Sequence, residues 1–215
     1  MTLRKLGILL GVAAMACAKD PTQGKSAATV GEAKTAGGAP TGAETLRVGP
    51  DSSKVGFVGA KVTAQHVGHF GEFAGTIALA DGVPEKSRVE LEVKIASLSI
   101  EGGPEDLVNH LKSPDFFDVA KHPAARFLST AIKAGSDVAG MNYTVTGNLE
   151  IRGVSKSVTF PARITVAPDA VSVHSEFGIN RKDFGIVYPG MKDDLIKDNV
   201  LIRIDLSAPR APRKT

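Results

Sequence analysis

The fold is decided by residues 143–166, which read YTVTGNLEIRGVSKSVTFPARITV. Apolar and polar side chains alternate along both halves of this stretch, so that Val145, Leu149 and Ile151 share one face of the first half. The dipeptide Arg152-Gly153 separates the halves and is typical of a tight turn. A period of two belongs to strands with one buried and one solvated face, as in antiparallel sheets. We therefore predict two antiparallel strands joined as a hairpin.

The same period of two recurs on both sides of this hairpin. The period is clear in three further segments, residues 87–95, 171–179 and 200–206. It is weaker in another three, residues 54–64, 70–80 and 124–134. With the hairpin they make about eight strands, separated by turn signals such as Asp81-Gly82 and Pro168-Asp169. The pattern predicts an all-β domain, either a closed eight-stranded antiparallel barrel or a sandwich.

One stretch near residues 104–118 departs from the strand pattern. Pro104 and the two acids that follow it are typical of a helix start. Leu107, Val108 and Leu111 then form a short apolar stripe. We predict a short helical insertion here, which either covers one end of the barrel or packs on its outside.

The composition is that of an ordinary globular protein, with 42% apolar and 23% charged residues in a chain of 215. The formal charge of +3 does not indicate nucleic-acid binding, because the basic residues of the body form no cluster interleaved with stacking aromatics. Cys17 is the only cysteine, so the body contains neither a disulfide nor a cysteine-based metal site.

The N-terminus is organised like a secretory signal. Arg4 and Lys5 precede the apolar run 6–13 (LGILLGVA), and small residues then lead to Cys17. Residues 14–17 are either a lipobox, in which case Cys17 becomes the lipidated N-terminus, or an ordinary signal-peptidase site. We favour the lipobox, and Ala18 after the cysteine favours sorting to the outer membrane. The prediction is an exported, periplasmic protein that is lipid-anchored to the outer membrane.

Composition also sets the remaining boundaries. We predict a signal peptide over residues 1–16, and a lipidation site with a disordered linker over 17–45. The linker is rich in Gly, Ala, Thr, Lys and Pro, and Val30 is its only bulky apolar residue. The barrel domain follows over 46–208, and residues 209–215 form a basic C-terminal tail.

Four blocks of the sequence, in order along the chain, resemble the YceI-like family of bacterial exported proteins. They are residues 67–77 (VGHFGEFAGTI), 110–119 (HLKSPDFFDV) with His122-Pro123 and 126–129 (RFLS), 143–149 (YTVTGNL) with 151–154 (IRGV), and 179–186 (INRKDFGI). The second block is the most distinctive. Because all four occur in register, residues 46–208 are identified as a YceI-like domain.

The resemblance implies an elongated, lipocalin-like barrel of eight antiparallel strands with a cavity for a polyisoprenoid or similar amphiphile. It also implies that a homodimer can form, although no seam of exposed apolar residues demands one. The sequence departs from the family pattern at 51–54 (DSSK), where a His-Ser pair is usual, and at His66, which meets the first-strand histidine pattern loosely. These departures leave the contacts to the polar end of the ligand open. The absence of Trp argues against a true lipocalin.

The candidate ligand-binding residues are mostly phenylalanines, because an apolar wall with few polar groups suits a long hydrocarbon. They are Phe57, Phe73, Phe116, Phe117, Phe127, Phe160 and Phe177, with Phe116 and Phe117 as lid residues on the helical insertion. Each of them could equally be an ordinary core residue.

Three polar residues complete the candidate site. Arg181 either binds a ligand head group or pairs with an aspartate to hold a loop closed. His66 and His69 could offer hydrogen bonds near the barrel mouth. They do not suit a metal ion, because residues three apart in a strand point to opposite faces. We predict no metal site and no cofactor.

The sequence favours a binding protein over an enzyme. It contains no nucleophile elbow, no H-E-x-x-H, no P-loop and no dinucleotide glycine motif. We therefore predict an envelope protein whose barrel holds a polyisoprenoid, isoprenoid quinone or fatty-acyl compound. One alternative is an interaction module with a solid barrel that contacts another protein. A lipid-modifying enzyme is the third, and it would need polar groups converging in an apolar pocket.

Overall fold

Residues 18–210 are described in the computed structural model. The predicted signal peptide over residues 1–16 and the predicted lipidation of Cys17 lie outside the described residues. So does the part of the predicted tail beyond Arg210.

Strands account for most of the described chain. In chain order they are β1 (Ser26–Ala27), β2 (Thr29–Glu32), β3 (Glu44–Val48), β4 (Lys54–Ala60), β5 (Gln65–Phe70), β6 (Phe73–Leu79), β7 (Arg88–Lys94), β8 (Leu98–Ile100), β9 (Ala124–Ala134), β10 (Tyr143–Ile151), β11 (Val154–Val166), β12 (Ala170–Asn180), β13 (Gly190–Met191), β14 (Asp194–Leu195) and β15 (Asn199–Pro209). Helical structure in residues 18–210 comprises α1 (Glu105–Lys112) and short 3-10 turns at Pro84–Lys86, Ile95–Ser97 and Arg181–Phe184.

The main sheet is a curled antiparallel barrel. Its strands follow the order β3-β6-β7-β9-β10-β11-β12-β15-β4-β5-β8, and every neighbouring pair along this path is antiparallel. The lipocalin-like all-β prediction is confirmed, and each of the eight predicted strands is present. The strand count differs, because the short strands β3, β5 and β8 extend the path to eleven.

One end of the barrel is closed by a basal cluster of buried side chains from β3, β4, β6, β7, β12 and β15. Its members are Leu46, Val48, Val55, Phe73, Ile77, Leu79, Leu91, Val93, Val171, Leu206 and Ala208. Burying an apolar side chain of this size contributes about 1.5–3 kcal/mol. Because its members come from six strands, the basal cluster holds the edge strand β3 against the rest of the barrel.

The opposite end is covered by the helical insertion. Helix α1 begins after Pro104, as its sequence predicts, and its acids Glu105 and Asp106 lie in the first turn. Leu107, Val108 and Leu111 pack against a cluster built on β4 and β8. The insertion therefore covers one end of the barrel, as the first of the two predicted alternatives has it, and does not pack on the outside. Among residues 18–210, no helix has the length and apolar character needed to cross a bilayer.

Part of the segment expected to be a disordered linker, residues 26–32, is instead paired with the sheet, which corrects the prediction for these residues. Strands β11 and β12 pair only over Arg163–Val166 and then diverge. Residues 26–32 lie between them: Ser26 is parallel to Phe177 of β12, and Val30 is antiparallel to Val158 of β11. Unpaired backbone groups of diverging strands need hydrogen-bond partners, and this segment supplies them.

The C-terminal boundary also differs from the prediction by two residues. Strand β15 continues to Pro209, which pairs with Ala170 of β12. The Arg210 guanidinium lies 2.7 Å from the carboxylate of Glu44, a contact that raises the pKa of Arg210. Pro209 and Arg210 therefore belong to the barrel rather than to a tail.

Candidate ligand-binding site

The barrel encloses a cavity of about 470 Å³ between the basal cluster and the lid end. This volume lies within the range of roughly 300–1,000 Å³ typical of small-molecule sites. Its wall follows directly from the period of two, because the inward residues of each long strand line it. Val145, Leu149 and Ile151 of β10 face it, as do Val158 and Phe160 of β11. The apolar faces whose alternation predicts the strands from the sequence thus form the cavity wall.

Phenylalanine rings form two groups along this wall. Phe160 stacks on Phe177 with ring centroids 4.1 Å apart, and Phe127 lies 5.7 Å from Phe160. Nearer the lid, Phe57 and Phe117 have centroids 6.4 Å apart, and both contact Phe70. These spacings are typical of stabilising aromatic pairs.

Two glycines make room for these rings. A Cβ atom on Gly147 of β10 would overlap the Phe127 ring, and one on Gly68 of β5 would overlap the Phe57 ring. Because no side chain stands there, each ring can lie close against the neighbouring strand. Glycine inside a strand often marks such a close approach.

Eight of the ten predicted ligand-binding residues line the cavity. They are Phe57, His66, Phe116, Phe117, Phe127, Phe160, Phe177 and Arg181. His69 and Phe73 do not. His69 is three residues from His66 in β5, so it points outward, where its Nε2 lies 2.7 Å from the Glu101 carboxylate. Phe73 is buried in the basal cluster and is not among the residues that line the cavity.

The lid is a small aromatic assembly on two loops. Phe116, on the turn after α1, lies 5.5 Å from Tyr188, and His110 of α1 packs 5.0 Å from each of those rings. Arg152, in the β10–β11 turn, joins the two loops. Its guanidinium donates to the carbonyl oxygens of Pro114 and Gly185, each at 2.6 Å.

Replacing Arg152 with asparagine is expected to loosen the lid. Arg152 has a positive φ of 51°, which asparagine tolerates, so the turn is kept while both lid bonds are lost. We expect amide hydrogen exchange at residues 113–118 and 185–189 to accelerate about tenfold, since two partly exposed charge-assisted bonds contribute about 1.4 kcal/mol. Amides of β12 serve as the internal control. Unchanged exchange in the lid loops would show that Arg152 does not hold them.

Polar groups gather at the cavity mouth beside the lid. The Lys61 ammonium lies 2.5 Å from the Asp194 carboxylate, and the Thr63 hydroxyl donates to the same group at 3.0 Å. The Lys61 hydrogen bond is the largest cause that lowers the pKa of Asp194. His66 lines the cavity next to this pair. Burial, then the charge of Lys61, lowers the pKa of His66 from its ordinary value of 6.5, while Asp194 raises it.

The lowered pKa of His66 makes stability depend on pH. As the pH falls, the unfolded chain takes up a proton at this histidine before the folded protein does, so acid favours unfolding. The free energy of unfolding should therefore decrease once the pH passes below about 6.5, and level off below the folded-state pKa. Denaturant titrations between about pH 7.5 and pH 5 would measure this, with His66→Gln showing a smaller decrease. Parallel pH profiles for the two proteins would contradict it.

Arg181 is buried, and its donors are directed at a loop. The guanidinium donates to the carbonyl oxygens of Ile186 at 2.7 Å and Lys197 at 3.1 Å, and to the Asp198 carboxylate at 3.2 Å. Burial lowers the pKa of Arg181, and Asp198 opposes that shift. This arrangement matches the loop-holding alternative, with Asp198 as the acidic partner.

Several cavity residues escaped the sequence analysis. Phe70 shares the inward face of β5 with His66, so the alternation could have found it. Tyr188, Phe184 and Ile196 line the cavity from irregular segments, where no periodicity indicates direction. In the part of the chain that the structure describes, no three His, Cys, Asp or Glu side chains are grouped as metal ligands would be.

Known proteins resemble the chain in both sequence and structure. A family profile described as a YceI-like domain matches residues 46–208. A UPF0312 protein of Pseudomonas putida is 34% identical over 129 residues, which cover 57% of this chain and 65% of the relative. The match thus spans just under two thirds of that relative's length.

Solved structures share the barrel. BcnA of Burkholderia cenocepacia is 25% identical, with a TM-score of 0.60 over 73% of this chain and 96% of its own. A polyisoprenoid binding domain from Saccharophagus degradans, 15% identical, has the same fold with a TM-score of 0.60 over 78% of this chain and 100% of its own. The profile covers most of the chain, and it matches the residues that build the barrel and its cavity. The chain belongs to the YceI-like family.

Proposed function

We propose that this protein binds a long-chain amphiphile, a polyisoprenoid, isoprenoid quinone or fatty-acyl compound, inside its barrel. The observation that carries the proposal is the apolar cavity of about 470 Å³, whose depth is lined by Val, Ile, Leu and Phe side chains. An apolar chain released from water into such a site contributes about 0.8 kcal/mol per methylene.

The ends of the cavity suggest how the ligand is oriented. The closed end at the basal cluster is apolar, and the charged side chains near the mouth are Lys61, Asp194 and Lys197. A hydrocarbon tail therefore fits towards the basal cluster, with the polar group near the mouth. The resemblance to a solved polyisoprenoid binding domain is consistent with this class of ligand.

The other two functions receive less support. A solid barrel would favour a pure interaction module, but this barrel encloses a cavity. An enzyme would need polar groups converging on one point within the pocket. The deep hydroxyl of Ser175 instead donates to the carbonyl oxygen of Pro161 at 2.6 Å.

We further propose that the protein is exported and anchored to the outer membrane through an acylated Cys17. The signal-like organisation of residues 4–17 supports this proposal. Mass spectrometry of the protein isolated from a bacterial envelope would reveal the acyl groups and the new N-terminus. A Cys17→Ser variant provides the matched control.

Native mass spectrometry of the same preparation tests the binding function. We expect a discrete added mass that an organic solvent removes and that matches a prenyl or acyl compound. A bare protein mass that stays unchanged after incubation with quinones and fatty acids would move the conclusion to the interaction module.

A further inference from the structure

The large apolar side chains that are exposed on the described surface all belong to one short segment. Across residues 18–210, the exposed ones are Val187, Met191 and Leu195, with exposed fractions of 61%, 75% and 49%. All three lie on the segment between the Arg181–Phe184 turn and β15. Exposed apolar groups clustered on a soluble protein mark a contact surface.

This segment is held in place and borders the cavity mouth. The amide of Lys197 donates to the carbonyl oxygen of Ala60 at 2.8 Å, and the amide of Ile196 donates to that of Pro189 at 2.9 Å. Strands β13 and β14 pair as a hairpin, with Gly190 opposite Leu195. Met191 is both exposed and part of the cavity wall. The exposed side chains are therefore fixed at the opening through which a ligand would pass.

The start of the described chain lies at the same place. The amide of Ala18 donates to the carbonyl oxygen of Val62 at 2.7 Å, and the amide of Val62 donates to that of Leu195 at 3.0 Å. Val62 thus connects Ala18 to Leu195 through two backbone hydrogen bonds. Cys17 directly precedes Ala18, and the apolar run 6–13 lies a few residues before it. Any lipid or apolar attachment in these residues would hold this same end of the barrel against a membrane.

We propose that Val187, Met191 and Leu195 form a docking surface for a lipid bilayer, which places the cavity mouth against the membrane. A bilayer fits better than a protein partner, because a stable protein interface buries about 800 Å² on each side, far more than three side chains provide. Insertion into an interface needs only a few apolar groups, and its strength follows the apolar area buried. The docking surface goes beyond ligand binding and does not depend on which ligand is bound.

The single cysteine allows a direct test. In a full chain carrying Cys17→Ser, Met191→Cys gives one labelling site on the docking surface. Met141→Cys gives a matched site in the β9–β10 turn, at the closed end of the barrel. Each protein carries an environment-sensitive fluorophore and is mixed with vesicles of phosphatidylethanolamine and phosphatidylglycerol. The first sixteen residues are the same in both, but any lipid affinity of their own would act at the end that carries position 191. A third protein, which adds Val187→Ser and Leu195→Ser to Met191→Cys, therefore separates the docking surface from them.

We expect the label at position 191 to shift to shorter wavelength with vesicles and the label at position 141 to remain unchanged. Adding Val187→Ser and Leu195→Ser to the position-191 protein should weaken partitioning by roughly tenfold for each side chain removed. An unshifted label at position 191, an equal shift at both positions, or partitioning that the two serine substitutions leave unchanged would overturn the proposal. So would a shift without vesicles that grows with protein concentration, since a second copy would then cover the surface. Ligand binding measured on the same proteins is a separate readout, so either function can fail alone.

Discussion

Replacing Arg181 with methionine is expected to lower the free energy of unfolding by about 3 kcal/mol, because it removes the donor from one buried and two partly buried carbonyl oxygens. Arg181 is 5% exposed, and its guanidinium bonds the 186–198 loop at Ile186, Ile196 and Lys197. Methionine fills much of the same space but donates nothing. Asp198 keeps a partner, because the Lys182 ammonium lies 2.8 Å from it. We therefore attribute the loss to the carbonyl groups of the loop.

Denaturant unfolding of Arg181→Met and Lys182→Met would measure this effect. Lys182 is exposed and shares the Asp198 carboxylate, so its replacement should change stability by less than about 0.5 kcal/mol. Ligand affinity should be measured on the same proteins. A stable Arg181→Met variant that has lost affinity would instead assign Arg181 to the ligand head group.

The eight main strands could be predicted because their alternation reports a physical constraint. Each strand has one solvent-exposed face and one buried face, and shifting the pairing register by one residue would exchange the two faces. In β10 and β11 this constraint extends over most of the 24 residues from Tyr143 to Val166. Among the strands that were missed, β8 has only three residues and is too short to repeat the pattern.

The pairing of residues 26–32 could not be predicted from their own composition. Val30 is the only bulky apolar side chain there, and it packs against the cluster that contains Val158 and Phe177. The slot it enters exists because β11 and β12 diverge beyond Arg163. The Lys25 ammonium also pairs with Glu176 of β12, and this contact is the largest cause that lowers the pKa of Glu176. These are tertiary contacts, and the local sequence does not encode them.

The sequence predicts which side chains face the interior of the barrel, but not whether each of them lines a cavity or fills the core. Alternation indicates that Phe73 and Phe127 both face inward, and both do. It does not distinguish a wall from a plug, because inward residues of a small barrel either fill it or line a cavity. Phe73 is in the basal cluster and Phe127 is at the cavity. The same alternation puts His66 and His69 on opposite faces but does not tell which of them faces the cavity, and the structure shows that it is His66.

Replacing Ala125 with tryptophan is expected to reduce affinity for a long-chain ligand by about two-hundredfold. Ala125 lies on β9 and lines the cavity, so the indole would occupy space that the ligand needs. If it displaces about four methylenes, the loss is about 3 kcal/mol. Ala131→Trp is the matched control, because Ala131 is exposed on the same strand.

Titration with a series of fatty acids of increasing chain length would test this prediction and the binding function together. In the parent protein, affinity should rise about fourfold per methylene until the cavity is full. In Ala125→Trp the rise should stop about four carbons earlier, while short ligands bind as before. The chain has no other tryptophan, so the fluorescence of the new indole reports whether ligand reaches it. A uniform loss at every length together with a lower Tm would indicate a damaged fold. Equal affinity for long ligands in both variants would place the ligand outside the barrel.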